Sequence, residues 1–384
     1  MMLRVAINAT PLLAPLTGIG HYIVELGAAL AATCEVDLYS FYGYRWRHER
    51  PQPDRADAVR RAQWMRDAVK PFIPFRRELR HAQQRSMFAR GLRSHAIGLY
   101  HEPNYVPLRY EVPVVLTIHD LSWLRYPETH PADRVRWLER GMPIALTRAA
   151  AILVDSEFVR QEVLSTFAID SDRVHTAALG VSSIFHPRTA AETRATLQPL
   201  ELVHGEYILT VGTIEPRKNL RHVLTAYAQL PESTRKRFPL VIAGAKGWRA
   251  SELERELDAR VEKGSIRFLG YVADDVMPHL YAGATTFVFA SLYEGFGLPP
   301  LEAMASGVPT LVTNQASLPE IAGDGAVAID PERPDDTAMK LAAMLEDCAL
   351  REEFARRGVA RASRFTWRKC AEATLGAYRA ASAG

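Results

Sequence analysis

Two carboxylates, Glu294 and Glu302, stand eight positions apart around Gly295-Phe-Gly-Leu-Pro-Pro300. A carboxylate only accepts hydrogen bonds, so it suits the paired hydroxyls of a sugar or a ribose. Between the two, Gly295 and Gly297 let backbone approach a ligand with no Cβ in the way. Pro299 and Pro300 fit the first turn of a helix, Leu301, Met304 and Ala305 give it an apolar face, and Gly307 ends it. A helix N-terminus after a glycine loop is an anion site, because free N–H groups and the dipole both face the ligand. The plain alternative is two surface charges at a helix start. Paired carboxylates also hydrolyse glycosides, but that chemistry needs no such spacing around a glycine turn.

Further groups could act with them. Arg217 and Lys218 close Val211-Gly212-Thr-Ile-Glu-Pro-Arg-Lys-Asn219, after an apolar run. Fixed cations there could stabilise charge gathering on a leaving diphosphate, although an Arg-Lys pair in a loop is ordinarily solvated. His119, in Thr117-Ile-His-Asp-Leu121, could hydrogen-bond a sugar hydroxyl or an oxygen in transfer. A lone histidine after a strand is more often structural. Gly18 and Gly20 lie between the first apolar run and the first helical pattern, a weak signal alone. Val241–Gly244 and Gly270-Tyr271-Val272 read as strand-end punctuation. Asp170-Ser-Asp172 and Asp274-Asp275 raise a metal question, and helix capping is their expected role.

The elements that must position these groups alternate. Strand-like runs are Leu3–Asn8, Val36–Tyr39, Val112–Ile118 and Ala151–Val154, with a helical face over Tyr22–Leu30. A second series runs through Tyr207–Val211, Leu240–Ala243, Ile266–Phe268, Thr286–Phe289, Thr310–Val312 and Val327–Ile329, and Thr366–Ala380 is helical. Strands separated by helices imply parallel sheets. The expected class is α/β with two Rossmann-like domains, 1–186 and 205–365, a linker at 187–204 and a final helical segment at 366–384. Parallel sheets place ligands at the carboxyl ends of strands, hence between the domains.

Composition is that of an ordinary globular protein of 384 residues, 48% hydrophobic, 24% charged and net +3. The length suggests about two domains. Cys34, Cys348 and Cys370 are too scattered for a disulfide framework or a zinc site, and read as reduced, mostly buried thiols. The N-terminal run is too short for a signal peptide, and no stretch of about 18 apolar residues would span a membrane. Arg45–Arg93 is strongly basic, with Trp46, Trp64, Phe72, Phe75 and Phe88 interleaved. It reads as a solvated pair of helices, or as a surface for anionic headgroups or a diphosphate-linked acceptor. Nucleic acid ranks last, since no recognition motif accompanies the charge.

Glu294-Gly-Phe-Gly-Leu-Pro-Pro-Leu-Glu302-Ala-Met-Ala resembles the Glu-x7-Glu signature of the retaining glycosyltransferases of family 4, which have the GT-B fold. The likeness runs in order through the glycine loop, His119-Asp120, Arg217-Lys218, the Gly270 turn and the last helix. It implies that Glu294 contacts the donor sugar and Glu302 the ribose. The amides of Phe296, Gly297 and Leu298 approach sugar and diphosphate, and Arg217 and Lys218 hold the diphosphate. Their spacing departs from the family's commoner Arg-x4-Lys, which leaves open which cation does more. Gly18 and Gly20 would close over the diphosphate, His119 would face the donor sugar, and Gly212 and Tyr271 would line the nucleotide site. No metal and no cofactor beyond a nucleotide-sugar co-substrate is implied, and the final helix would cross back onto the first domain.

The Thr17-Gly-Ile-Gly-His-Tyr22 start and the segment from Thr117 to Glu128 look most like bacterial mannosyl- and rhamnosyltransferases of polysaccharide (O-antigen) assembly. The expected donor is a GDP-sugar of mannose or 6-deoxymannose, with UDP- or dTDP-sugars as alternatives. The expected acceptor is a glycan or a polyprenyl-diphosphate-linked sugar, met in the cytoplasm or at the inner membrane face. A nucleotide-sugar epimerase of GT-B fold and an inactive scaffolding subunit are the rival readings. A dinucleotide oxidoreductase is poorer, because Gly18-Ile-Gly20 lacks a closely following third glycine.

Overall fold

A computed structural model describes residues 2–14, 16–53, 76–245, 257, 261, 264 and 266–383. Two sheets organise the chain. The first runs β3-β2-β1-β4-β5-β6-β7, with β1 Leu3–Asn8, β2 Val36–Phe41, β3 Trp46–Arg47, β4 Leu99–Glu102, β5 Val114–Ile118, β6 Ala151–Val154 and β7 Val174–Thr176. The second runs β10-β9-β8-β11-β12-β13, with β8 Ile208–Val211, β9 Leu240–Ala243, β10 Ile266–Gly270, β11 Thr286–Phe289, β12 Thr310–Thr313 and β13 Val327–Ile329. All pairings are parallel except β2 with β3. Helices cover both faces, which is why β6 and β9 are unbroken apolar runs and β5 and β11 carry a single threonine each, all buried at every position. Each sheet reverses its order beside its first strand, β1 against β4 and β8 against β11. Crevices open at such switch points.

Several elements differ from the sequence reading. β4 was not anticipated, because Leu-Tyr-His-Glu is half polar, and neither were the short β3 and β7. β5 starts at Val114, after Pro113, which has no N–H to give a ladder. The first helix spans Gly18–Thr33, so Gly18 and Gly20 sit in its first turn and not in a loop before it. The 187–204 linker carries a helix, Ala190–Leu197, closed by a Thr189/Glu192 capping box. In the basic stretch, β3 and a helix over Arg76–Ser94 are seen, while 54–75 lie outside the described residues. Trp46 and Phe88 do not stud a surface: their rings stack at 5.1 Å over Phe41, and Phe88 is fully buried. Cys34 and Cys348 are exposed, and only Cys370 is buried.

The terminal helix, Trp367–Ala383, returns to the first domain. Tyr378 Oη meets His101 Nδ1 at 2.7 Å on β4, and an Arg379–Glu35 ion pair fastens the exposed side. Tyr22 Oη on the first helix reaches Thr117 Oγ1 at 2.9 Å, so the helix packs over a satisfied polar network. Among the described residues no helix is long and apolar enough to cross a membrane.

Candidate active site

A cavity of about 320 Å³ opens between the carboxyl ends of the two sheets. Gly18 and His21 line it from the first domain; Gly212, Gly244, Tyr271, Asp274, Leu298 and Glu302 line it from the second. Its floor is bare backbone. Gly212 and Gly244 hold φ of +158° and +151°, and a Cβ on Gly244 would lie 1.9 Å from Gly212 O. Only glycine permits that approach of β8 and β9. Gly20 does not line the cavity; it packs against Leu16.

One wall is the helix Leu298–Ala305. Gly297 precedes it at φ +110°, and its first turn carries Pro299 and Pro300. Phe296 turns its ring away into the core against Phe365, at 5.7 Å, so only its backbone is available to a ligand. Glu302 follows one turn on. Burial pushes its carboxyl up to about 8, with Asp274 adding to the rise and the Tyr281 hydroxyl partly offsetting it.

Glu294 stands beside the helix start in a buried charge cluster. Lys218 Nζ lies 2.5 Å from its Oε1, and Arg217 Nη1 lies 3.3 Å from its Oε2. Burial would raise this carboxyl, but Lys218 and Arg217 outweigh it and hold Glu294 below the ordinary range. Arg217 is committed further, to Glu215 at 2.8 Å and to Tyr293 O at 2.5 Å. Asp120 of the first domain feels it too: burial pushes this carboxyl up, and Arg217 holds it down. Lys218 is the more accessible cation, its methylenes 3.8 Å from where a Gly212 Cβ would stand at the cavity edge.

His119 is placed differently from expectation. Its Nδ1 meets Asp155 Oδ2 at 2.7 Å and its Nε2 meets Pro103 O at 2.9 Å. The Pro103 carbonyl can only accept, so Nε2 donates, and Asp155 takes up Nδ1, an arrangement that favours the charged ring. Burial opposes that charge and Asp155 outweighs burial, leaving the pKa above its ordinary value. No ring nitrogen is left for a sugar hydroxyl. The His119 carbonyl packs so close to Gly295 that a Cβ there would lie 1.7 Å away.

The structure thus gathers Glu294, Arg217 and Lys218 in one cluster and Gly18, Gly212, Tyr271, Leu298 and Glu302 around one cavity. Three residues were missed. Asp155 follows β6 as His119 follows β5, a strand-end position legible in the sequence. Asp274 was read as a cap, yet the helix Met277–Ala282 has no side-chain cap, and Asp274 faces the cavity 3.8 Å from His21 Nε2. Tyr293 is adjacent to Glu294 and carried no signal. Asp170 does cap, accepting from Asp172 N at 3.1 Å. Among the described residues no cluster of three or more His, Cys, Asp or Glu could hold a metal ion.

Two nucleotide-type domains facing each other across a cleft with this cluster define a glycosyltransferase of the GT-B architecture. Residues 198–361 match the model for glycosyl transferases group 1 and residues 16–183 that for glycosyltransferase family 4, and the chain belongs to this family. It is 39% identical over 383 residues, 98% of this chain and 100% of the relative, to the O-antigen chain mannosyltransferase B of Escherichia coli. It is 34% identical over 267 residues, 68% of this chain and 32% of the other, to the serotype-specific mannosyltransferase WbdA of E. coli. In fold it is similar to WaaG, a glycosyltransferase involved in lipopolysaccharide biosynthesis, at TM-score 0.71 and 17% identity over 97% and 98% of the chains. Sucrose-phosphate synthase from Thermosynechococcus elongatus superposes at TM-score 0.75, with 21% identity over 98% of each chain.

Proposed function

We propose that this chain transfers mannose from GDP-mannose, with retention, to a glycan acceptor in the assembly of a bacterial surface polysaccharide. The observation that carries this reading is the full-length similarity to an O-antigen chain mannosyltransferase. The cavity supports the base. Asp274 lies in the lining beside the Tyr271 turn. A carboxylate accepts two hydrogen bonds side by side, and the guanine edge offers two adjacent donors where uracil offers one.

In this reading the ribose diol binds Glu302, and the diphosphate lies at the Leu298 helix start, where free N–H groups and the dipole favour anions. Lys218 exchanges Glu294 for a phosphate oxygen, which frees Glu294 to accept from the sugar hydroxyls. Arg217, already committed on both terminal nitrogens, holds the Glu294 loop in place. As the sugar–oxygen bond breaks, charge on the leaving diphosphate is stabilised by Lys218 and the helix. Same-face attack by the acceptor hydroxyl on an oxocarbenium-like sugar gives retention, and the leaving diphosphate takes the hydroxyl proton.

The place of action in this reading is the cytoplasmic face of the membrane, with peripheral contact through the basic Arg45–Arg93 stretch. Neither rival, epimerase or scaffold, is favoured by any relative named above. Calorimetric titration with GDP, UDP, dTDP and ADP tests the donor, followed by transfer to an oligomannose acceptor with the new anomer assigned by NMR. GDP is expected to bind tightest and the linkage to be α. Preference for UDP, or an inverted product, would overturn the reading.

A further inference from the structure

The loop that carries Glu294 is gripped from both domains. On its own side Ser317 Oγ lies 2.9 Å from the carbonyl oxygens of both Glu294 and Phe296, which share its one proton. From the first domain Ser156 Oγ donates to Gly295 O at 2.7 Å. Tyr293 crosses the gap outright. It belongs to the second domain, yet it is 4% exposed, with its ring 5.6 Å from that of Tyr126 and 5.9 Å from that of Phe158. Its hydroxyl accepts from Leu121 N at 2.9 Å and donates to Glu162 through a short hydrogen bond. Arg125 Nε holds the other oxygen of Glu162 at 2.8 Å. Burial pushes the phenol far up, and Asp120 and Glu162 push it further, so the hydroxyl keeps its proton to donate.

A second clasp lies alongside. Glu320 of the second domain accepts from Glu157 N and Phe158 N, each at 2.9 Å, at the start of the first-domain helix Glu157–Thr166. Arg361 donates to the carbonyls of Glu320 and Ile321 and fixes that segment. Both clasps join the two domains, so parting the domains would break them.

We infer that Tyr293 is a positioning residue that makes domain closure and the seating of Glu294 a single event. Tyr293 is one peptide bond from Glu294, and its carbonyl also holds Arg217. When the domains part, the hydroxyl leaves Leu121 and Glu162, and the peptide that aims Glu294 keeps only its second-domain bonds, from Arg217 to Tyr293 O and from Ser317 to Glu294 O. When they close, the hydroxyl is captured and the peptide is fixed. Closure that assembles a site in this way couples substrate commitment to chemistry. Glu320 adds to closure without touching the Glu294 loop. The inference rests on sugar transfer by this family and not on which sugar or base is used.

Tyr293→Phe keeps the ring and removes the hydroxyl. Its kcat for transfer is expected to fall by about 10²-fold, the scale of a misplacement near 1 Å. The affinity for a nucleoside diphosphate should stay within about twofold of the parent, because the hydroxyl lies outside the cavity lining. A dye pair spanning the two domains should report a smaller closed fraction with nucleotide bound. Glu162→Gln retains an acceptor oxygen and should keep most of the activity. Glu162→Ala should match Tyr293→Phe, and the double variant should add little. The inference is overturned if Tyr293→Phe transfers at the parent rate, if rate and nucleotide affinity fall together, or if the dye distance is unchanged while the rate falls. The dye measurement uses whichever nucleoside diphosphate binds, so a wrong donor assignment leaves it intact.

Discussion

Glu302 carries a carboxyl held near 8 in a cavity that would receive a ribose. At neutral pH the empty site keeps its proton, while two ribose hydroxyls need an ionised acceptor. Nucleotide affinity should therefore rise by about tenfold per unit from pH 6 to 8 and then level off. Titration of GDP across that range checks this, and Glu302→Gln should flatten the profile. Folding runs the other way. The folded pKa lies above the ordinary carboxyl value, so this group's contribution to stability is full below about 4.5 and is lost as pH rises through about 8. Glu294 behaves differently, since Lys218 and Arg217 keep it ionised. Replacing it with Ala removes the proposed sugar contact and frees Lys218. Transfer should fall by about 10²–10³-fold while GDP binds at least as tightly as to the parent. Asp274→Asn should weaken GDP by about tenfold or more, the worth of a bidentate base contact, with little change for UDP. At this scale the sequence was most legible where one short segment held every part, as between Glu294 and Glu302. It was least legible where partners come from distant segments: the ring of His119 is taken up by Asp155 and Pro103.

Among the elements, the strand ends that form the cavity floor are the least tolerant of change. Gly244→Ala would drive a Cβ to 1.9 Å from Gly212 O at a φ of +151°. Strain of about 1–3 kcal/mol is expected, read as a lower thermal midpoint with nucleotide affinity falling further than stability alone explains. Short, largely apolar runs such as Thr286–Phe289 and Ala151–Val154 announced their strands, because burial on both faces demands such composition. β4 did not, because its His101 and Glu102 are buried polar groups satisfied from afar. Glu102 takes Asn8 Nδ2 at 3.0 Å, and His101 takes Tyr378 Oη at 2.7 Å. Glycines disfavour helix and so predict a later start for the first helix, yet Gly18 and Gly20 open it; Gly18 leaves room at the cavity while Gly20 packs against Leu16.

For the whole molecule, the two-domain arrangement followed from counting alternating runs, while the grip between domains came from single hydrogen bonds that no periodicity reports. The proposed membrane contact through the basic stretch belongs to this scale. Sedimentation with vesicles should show binding to anionic but not neutral lipid, lost as salt rises and the charges are screened. Binding to neutral vesicles alone would remove electrostatics as its source.

The terminal helix has a consequence for how the protein comes to be made. It completes the first domain, but the ribosome delivers it only after the entire second sheet. Until then Tyr378 is missing beside His101, and the apolar face of the first helix lies uncovered. The nascent first half therefore waits, partly built, while the second half can finish its own sheet unaided. Residues 2–186 made alone should be prone to aggregate, and adding the Trp367–Ala383 segment as a separate peptide should raise the soluble yield.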